Sequence, residues 1–436
     1  MKKPLHIINN ALPDIQGGYS IRTHSLLMAQ RAIGMIPRAI VVPSTPIDRR
    51  ERTVVGPGMV SYDCDGIAYL GIPDQSSRLR KAILKTALTL KKIGVRGLGR
   101  TIPYRVNEST VHRIIDYACQ NIDFDVLHAH SPSRCFDFAA KLGQAKGVPI
   151  VYEVRGFFDL SQEAEGASTQ KARAKRMQTE LAACRGAGRV ATLGAAMKQH
   201  LIDLGIDSEK IDLFPNGVDA LERVKKTDRL EFRRRLGFST DDFICGCFTN
   251  VRKLEGLGTA IKAIKLLNDT GHKVKFLLVG DGTDMARQKQ LANSLGISGQ
   301  IIFQGRVPKA EIASYYSALD AYLIPRINKP VCHIVAPVKI LEPMAKGVPL
   351  VISNLPALVE HTGDDRGLSF EPDNKTDLAS KISSLIASPE RGSAIAERAR
   401  DWVLTNRSWE QIARRTMESY QKLLNQSDSK GPKLFG

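Results

Sequence analysis

Short apolar runs alternate with amphipathic stretches along nearly the whole chain. In the first half, LHIIN (5–9), AIVV (39–42), DVLHA (125–129), PIVYEV (149–154), RVATL (189–193) and KIDLF (210–214) read as strands. In the second, ICGCF (244–248), VKFLLVG (274–280), IIFQG (301–305), AYLIP (321–325) and VPLVIS (348–353) do the same. Helical patterns lie between most of them, including 20–33 before Gly34, 134–146 before Gly147, 257–270 before Gly271 and 377–387. Apolar β-rich runs separated by helices of roughly 10–15 residues predict parallel sheets covered on both faces.

The alternation occurs twice. FPNGVDALERVKKTD (214–228) divides it, with turn chemistry at Asn216-Gly217 followed by a polar stretch. The expected fold class is α/β, with two doubly wound, Rossmann-like domains over 1–215 and 216–408 facing a central cleft. In such sheets ligands sit beyond the carboxyl ends of the strands, and two facing domains enclose a cleft. The polar tail 426–436 is expected to be disordered.

Composition narrows the function classes. The 436 residues, 43% hydrophobic and 25% charged, fit a soluble globular protein of two or three domains. No apolar run approaches the ~20 residues of a membrane span, and the start MKKPLHIINNALPD is too briefly apolar for a signal peptide. The seven cysteines are scattered without a C-x-x-C pair, which suits free buried thiols in a reducing cytoplasm. Of the formal charge of +18, residues 71–110 carry a large share. Nine basic residues from Arg78 to Arg105 stand there against Asp74 and Glu108. Interleaved with Leu79, Ile83, Leu84 and Leu88, they make 78–100 a basic amphipathic segment. It suits an anionic membrane surface or a phosphorylated acceptor; a solvated surface helix accounts for it equally well. Aromatic content of 6% and the lack of any nucleic-acid-binding signature argue against nucleic acid.

Candidate chemistry collects at strand ends. Gly17-Gly18 stands between a strand and a helix, where backbone can approach an anion and the helix start offers free N–H groups. It is not a G-x-G-x-x-G fingerprint. In DVLHAHSPSRC, His128 and His130 share one strand face at the strand's end, and His130 is the candidate for a site role. YEVRGFF places Glu153 and Arg155 similarly. In the second half Arg252 and Lys253, Arg306 and Arg326 each follow a strand; together they favour a diphosphate site. In PVKILEPMAKGVPLVISN, Pro343 and Gly347 bracket a short helix beginning near Lys339, with Lys339 and Glu342 on one face. Spacing alone supports two readings of Glu342 equally. It could accept hydrogen bonds from the vicinal hydroxyls of a ribose, or form a Lys–Glu pair at a helix end worth about 0.3–1 kcal/mol. Asp63-Cys64-Asp65 and Asp123-Phe124-Asp125 match the D-x-D of metal-dependent transferases, but neither follows a suitable strand, so no metal is expected.

In this order the motifs resemble the GT-B fold glycosyltransferases, specifically the large retaining family 4, over roughly residues 4–424. DVLHAH, IDLFPNGVD, EGLGTAIKAI, KFLLVGDG, IIFQGRVP and PVKILEPMAKGVPLVISNLPALVE carry the resemblance, the last most specifically. SIRTHSLLMAQRAIG, VYEVRGFF and the IPR…P-x-K…E pattern resemble a subgroup linked to bacterial exopolysaccharide clusters. RSWEQIARRTMESYQKLL resembles that fold's closing helix, which would cross back to the first domain over 409–425.

The resemblance implies an acceptor-binding first domain and a nucleotide-sugar-binding second one. Gly17 and Gly18 would line the donor phosphates, and His130 would lie near the transferred sugar as the catalytic candidate. Arg252, Lys253, Arg306, Arg326 and Lys339 would hold the diphosphate, and Glu342 the ribose. Arg22, Glu153, Arg155 and His333 are the acceptor or sugar candidates. Two departures stand out: Ile334 replaces the family's first motif glutamate, with Cys332-His333 beside it as the substitute, and Glu255 stands where lysine is common.

The implied function is retaining, metal-independent transfer of a sugar from a nucleotide sugar, UDP-linked, to a glycan, lipid-linked or small-molecule acceptor. No cofactor is expected beyond the donor. The expected location is the cytoplasm, with peripheral contact to the inner membrane face through 78–100. The rival readings are a sugar-nucleotide epimerase of the same fold and a non-catalytic nucleotide-sugar-binding protein of a polysaccharide assembly system.

Overall fold

Strand β1 (Pro4–Ile8) is buried at every position, which marks it as central to a sheet covered on both sides. A computed structural model describes residues 2–15, 17–42, 53–56, 59–71, 108–166, 169–219 and 229–430. The basic segment 78–100 lies outside the described residues. Around β1 runs a nine-stranded sheet ordered β3-β4-β5-β2-β1-β6-β7-β8-β9. Its members are β2 (Arg38–Val41), β3 (Thr53–Gly56), β4 (Met59–Cys64), β5 (Ile67–Gly71), β6 (Val126–His130), β7 (Ile150–Val154), β8 (Arg189–Thr192) and β9 (Ile211–Leu213). Pairing is parallel except that β4 runs antiparallel to β3 and β5.

That antiparallel hairpin is not among the expected strands, although its signal is present. Asp65 and Gly66 both have positive φ, 53° and 77°. An Asp-Gly pair between β-rich runs is the signature of a two-residue hairpin. The first D-x-D is therefore turn chemistry: Gly66 N donates to Asp63 Oδ1 at 2.8 Å, and Asp65 pairs with His24 at 2.9 Å. The second lies at the amino end of β6, where Asp123 pairs with the Lys3 side chain and Asp125 accepts from the Lys3 backbone.

A second sheet, all parallel, is ordered β12-β11-β10-β13-β14-β15. Its strands are β10 (Phe243–Phe248), β11 (Val274–Val279), β12 (Ile301–Gly305), β13 (Ala321–Ile324), β14 (Leu350–Ser353) and β15 (Leu368–Phe370). The helix Leu341–Lys346 stops at Gly347, which takes the left-handed conformation (φ 72°). A 3-10 turn, Val338–Ile340, leads into that helix, so Lys339 precedes it and Glu342 lies in its first turn.

The chain crosses between the sheets twice at one place. Val218 N donates to Arg407 O at 2.7 Å, and a parallel bridge joins Val218 to Ser408. The helix Trp409–Lys430 then returns to the first sheet, where Ile412, Tyr420 and Leu423 pack with Leu26, Val126, Val151 and Phe214. It extends past the expected 409–425, so 426–430, expected as part of a disordered tail, is helical. On the other side the helices Phe158–Ala164 and Ala195–Asp203 meet Pro330–Ile334 and Pro356–Thr362. Glu360 Oε2 accepts from Ala195 N at 2.8 Å, capping the first-domain helix from the second domain.

Gly217 at the crossing has no room for a side chain: an added Cβ would lie 2.5 Å from the Trp409 ring. Gly217→Ala is expected to cost about 1–3 kcal/mol by overpacking and to lower the thermal midpoint. An unchanged midpoint would show that the crossing is looser than described.

Candidate functional site

The register of the first sheet brings its polar candidates together in the core. His6 lies opposite His128 on β1 and β6, and His130 lies opposite Glu153 on β6 and β7. All four are buried. His130 is engaged at both ring nitrogens, Nδ1 at 2.7 Å from Glu153 Oε2 and Nε2 at 2.8 Å from His6 Nδ1. His6 Nε2 meets Gln30 Oε1 at 2.8 Å, and Gln30 donates to Thr416 and Tyr420 of the closing helix. His128 Nδ1 meets Tyr420 Oη at 2.7 Å.

Arg22 donates to Glu153, to the carbonyls of Phe214 and Pro215, and to Asn216 Oδ1. Arg155 binds Glu153 Oε2 through Nε and Nη2 at 3.1 and 3.0 Å, and reaches Thr23 Oγ1. Burial opposes the ionisation of Glu153. Arg155 and Arg22, with hydrogen bonds from His128 and His130, outweigh it and hold the carboxyl well below its usual range. The same burial, aided by Arg155, keeps the pKa of His130 well below its ordinary value.

Arg22 and Glu153 are buried and tie the first sheet to the domain crossing, Arg155 turns to Glu153 and Thr23, and His130 is fully enclosed. Gly17 and Gly18 do stand at an open helix start: an added Cβ at either would meet nothing within 4 Å, so packing does not demand glycine there.

In the second sheet the strand-end cations converge on one carboxylate. Glu255 ends the 3-10 turn Lys253–Glu255 after β10. Lys339 Nζ lies 2.6 Å from Glu255 Oε2 and also bonds Thr249 Oγ1. Arg326, following β13, has Nη2 3.8 Å from Glu255 Oε1, while its Nη1 donates to Val335 O at 2.7 Å. Burial works against ionisation of Glu255, but Lys339, Arg326 and Arg252 overcome it and lower its pKa. Arg252 Nε also donates to Glu165 Oε1 at 2.6 Å. Because Glu165 follows β7 and Arg252 follows β10, the carboxyl-end loops of the two sheets meet there.

Glycines press the loops at the strand carboxyl ends together. Gly256, left-handed at φ 62°, caps the helix Leu257–Asp269, and an added Cβ would lie 1.7 Å from Pro325 O. That brings the helix's free N–H groups to the end of β13 beside Arg326, a favourable place for an anion. Glu342, half-buried in the next helix, accepts from Tyr316 Oη at 3.3 Å. Lys253 is exposed beside the cluster. Arg306 is exposed at the end of edge strand β12, two strands from β10, and stands apart from it. His333 is half-exposed, with Nε2 2.6 Å from Asn328 Oδ1, whereas Cys332 is fully buried and offers nothing to a ligand.

Glu255, Thr249, Glu165 and the helix start at Gly256 are missing from the candidates drawn from sequence. EGLG carried the helix start as a glycine before an apolar helical pattern. The other three owe their place to long-range contacts. A cavity of about 620 Å³, lined by Arg229, Phe243, Asp320, Pro349 and Ala396 among others, opens at the amino ends of β10, β13 and β14. It contains none of the strand-end cations, and the site is assigned to the opposite edge.

Two family models match the chain: Glycosyltransferase Family 4 over residues 92–221 and Glycosyl transferases group 1 over residues 228–402. Both halves thus match glycosyltransferase family models, and the fold is of the GT-B kind. Among curated relatives, the D-inositol 3-phosphate glycosyltransferase of Rhodococcus erythropolis is 28% identical over 240 residues, covering 53% of each chain. The 2-deoxystreptamine glucosyltransferase of Streptomyces kanamyceticus is 24% identical, covering 51% of this chain and 57% of its own. The chain thus spans little more than half the length of these relatives. Among solved structures, Anabaena HepE in complex with UDP and glucose superposes with a TM-score of 0.69 at 16% identity, over 97% of this chain and all of its own. The catalytic domain of Arabidopsis thaliana Starch Synthase IV, bound to ADP and acarbose, gives 0.71 at 14% identity, over 97% and 99%. At these identities the likeness is one of fold. No helix among the described residues is long and apolar enough to cross a membrane.

The buried imidazoles make stability depend on pH. His6, His128 and His130 all have folded pKa values below 6.5, chiefly through burial. Unfolded, they take up protons as pH falls below about 6.5, so stability is fully present above that pH and declines below it. The slope is at most about 1.4 kcal/mol per pH unit for each histidine. Glu153 contributes nothing in this window, because its depressed pKa matters only in stronger acid. The thermal midpoint is expected to fall from pH 7.5 to 5.5, and His6→Asn should flatten the fall. A midpoint constant over that range would contradict the lowered imidazole pKa values.

Proposed function

We propose that this GT-B protein is a retaining glycosyltransferase that moves a sugar from a nucleotide sugar, UDP-linked, to a glycan, lipid-linked or small-molecule acceptor. The observation that carries the proposal is the convergence of Lys339, Arg326 and Arg252 at the strand carboxyl ends, beside a helix start and next to Glu342. Such a group neutralises a leaving diphosphate as its charge develops. Glu342 would accept hydrogen bonds from the ribose hydroxyls. The departing phosphate would take the proton of the acceptor hydroxyl. The UDP and UDP-glucose complexes of HepE support the choice of UDP.

The chemistry would run without a metal, since one D-x-D forms the β4–β5 turn and the other precedes β6, where both do local structural work. An epimerase would need paired carboxylates in the cleft, and Glu153 is sealed and ionised in the core. We further propose a bacterial, cytoplasmic setting in exopolysaccharide assembly, with 78–100 touching the inner membrane face. The acceptor would bind on the first-domain side, near Gly17 and Gly18.

Glu342→Ala is expected to weaken UDP binding about tenfold or more, as expected for losing hydrogen bonds to a charged group, with the thermal midpoint preserved. Calorimetry checks this, and an unchanged dissociation constant would remove the ribose role. UDP release from UDP-sugars should persist in excess chelator. Its abolition, with recovery on adding a divalent cation, would overturn metal independence.

A further inference from the structure

Glu255 is an unexpected group in a site meant for anions. A carboxylate beside a diphosphate repels it, yet this one is buried, ionised and surrounded by cations from three separate segments: Arg252 after β10, Arg326 after β13 and Lys339 before the helix of Glu342. Stability alone is a weak reason for such an arrangement, because a buried ion pair is often no better than apolar packing. We infer that Glu255 is a positioning residue that holds Lys339 and Arg326 side by side while offsetting part of their charge, so that the site both grips and releases a nucleoside diphosphate. This rests on the glycosyltransferase reading above.

The geometry separates the two tasks. Glu255 Oε2 takes Lys339 at 2.6 Å, and Oε1 faces Arg326 at 3.8 Å. The carboxylate thus keeps two like charges in one place that would otherwise repel. It is itself held by Gly256, whose left-handed turn is pressed against Pro325 and so fixes the carboxylate behind the cations. Lys339 keeps a second anchor on Thr249 Oγ1, so its ammonium remains in the site when it shares itself with phosphate. One negative charge among three positive ones lowers the attraction for the product, whose release ends each turnover.

The test is calorimetric binding of UDP, GDP and ADP to the full chain, with thermal melting, for the parent, Glu255→Gln and Glu255→Asp. The Gln variant keeps an acceptor for Lys339 and removes the charge. It should bind the preferred diphosphate about fivefold tighter, by loss of one repulsive charge at short range, and turn over with both kcat and KM lowered. The Asp variant keeps the charge at shorter reach, loosens the hold on Lys339, and should bind about threefold more weakly. A Gln variant that binds equally or more weakly, or an Asp variant that binds equally or more tightly, overturns the inference; the Asp arm decides if the Gln variant does not fold. A parent that binds none of the three diphosphates removes the glycosyltransferase reading and this inference with it. That result is distinct from a parent that binds while its variants behave alike.

Discussion

An ionised carboxylate is buried only where cations surround it, because an unpaired charge in the interior costs several kcal/mol. Each sheet of this protein has such a cluster at the carboxyl end of its strands. In the first, Glu153 is saturated: Arg22, Arg155 and two imidazoles close around it and nothing reaches it from outside. In the second, Glu255 holds cations that remain partly open, with the Lys339 side chain 20% exposed and that of Arg252 36% exposed. The same electrostatic requirement therefore builds a sealed joint in one domain and a partly open cation cluster in the other. Charge type alone cannot tell the two apart; access can.

The joint and the site depend on each other. Arg22 anchors the chain at Phe214, Pro215 and Asn216 and lies 5.7 Å from the Trp409 ring centre, so both crossings between domains are tied to the Glu153 cluster. On the opposite side, Glu165 reaches Arg252 and Glu360 caps a first-domain helix. Ile334, where the family pattern has its first glutamate, packs against the first-domain core. A carboxylate there would lose its hydration against apolar surface. The departure from the family pattern thus has a local reason, an apolar contact across the domains, and it leaves Lys339, Arg326 and the helix start at Gly256 to define the donor side.

Most of the second sheet was legible in the sequence, because parallel strands buried on both faces are continuous apolar runs, and glycine stops such as Gly147 and Gly347 mark helix ends. The hairpin of β3 to β5 was overlooked although Asp65-Gly66 announced it; its strands, half-solvated and alternating, make a weaker apolar signal. Among the candidate residues, local spacing reports placement where the neighbour is close in sequence. Lys339 and Glu342 share one short helical stretch, and Arg326 follows its strand directly. It does not report the long-range partners of Arg22 and His130: Arg22 meets Glu153 and His130 meets His6, each more than a hundred residues away. No spacing rule reports that a strand-end histidine will be covered by Tyr420 and its neighbours.

The central claim is spatial: a nucleoside diphosphate belongs against Lys339 and Arg326, with its ribose at Glu342. A crystal structure of the full chain with UDP tests it most directly. The account predicts phosphate oxygens within hydrogen-bonding distance of Lys339 Nζ and the Arg326 guanidinium, and ribose hydroxyls on the Glu342 carboxylate. A nucleotide seated elsewhere, with Lys339 and Arg326 still turned only to Glu255, would contradict it.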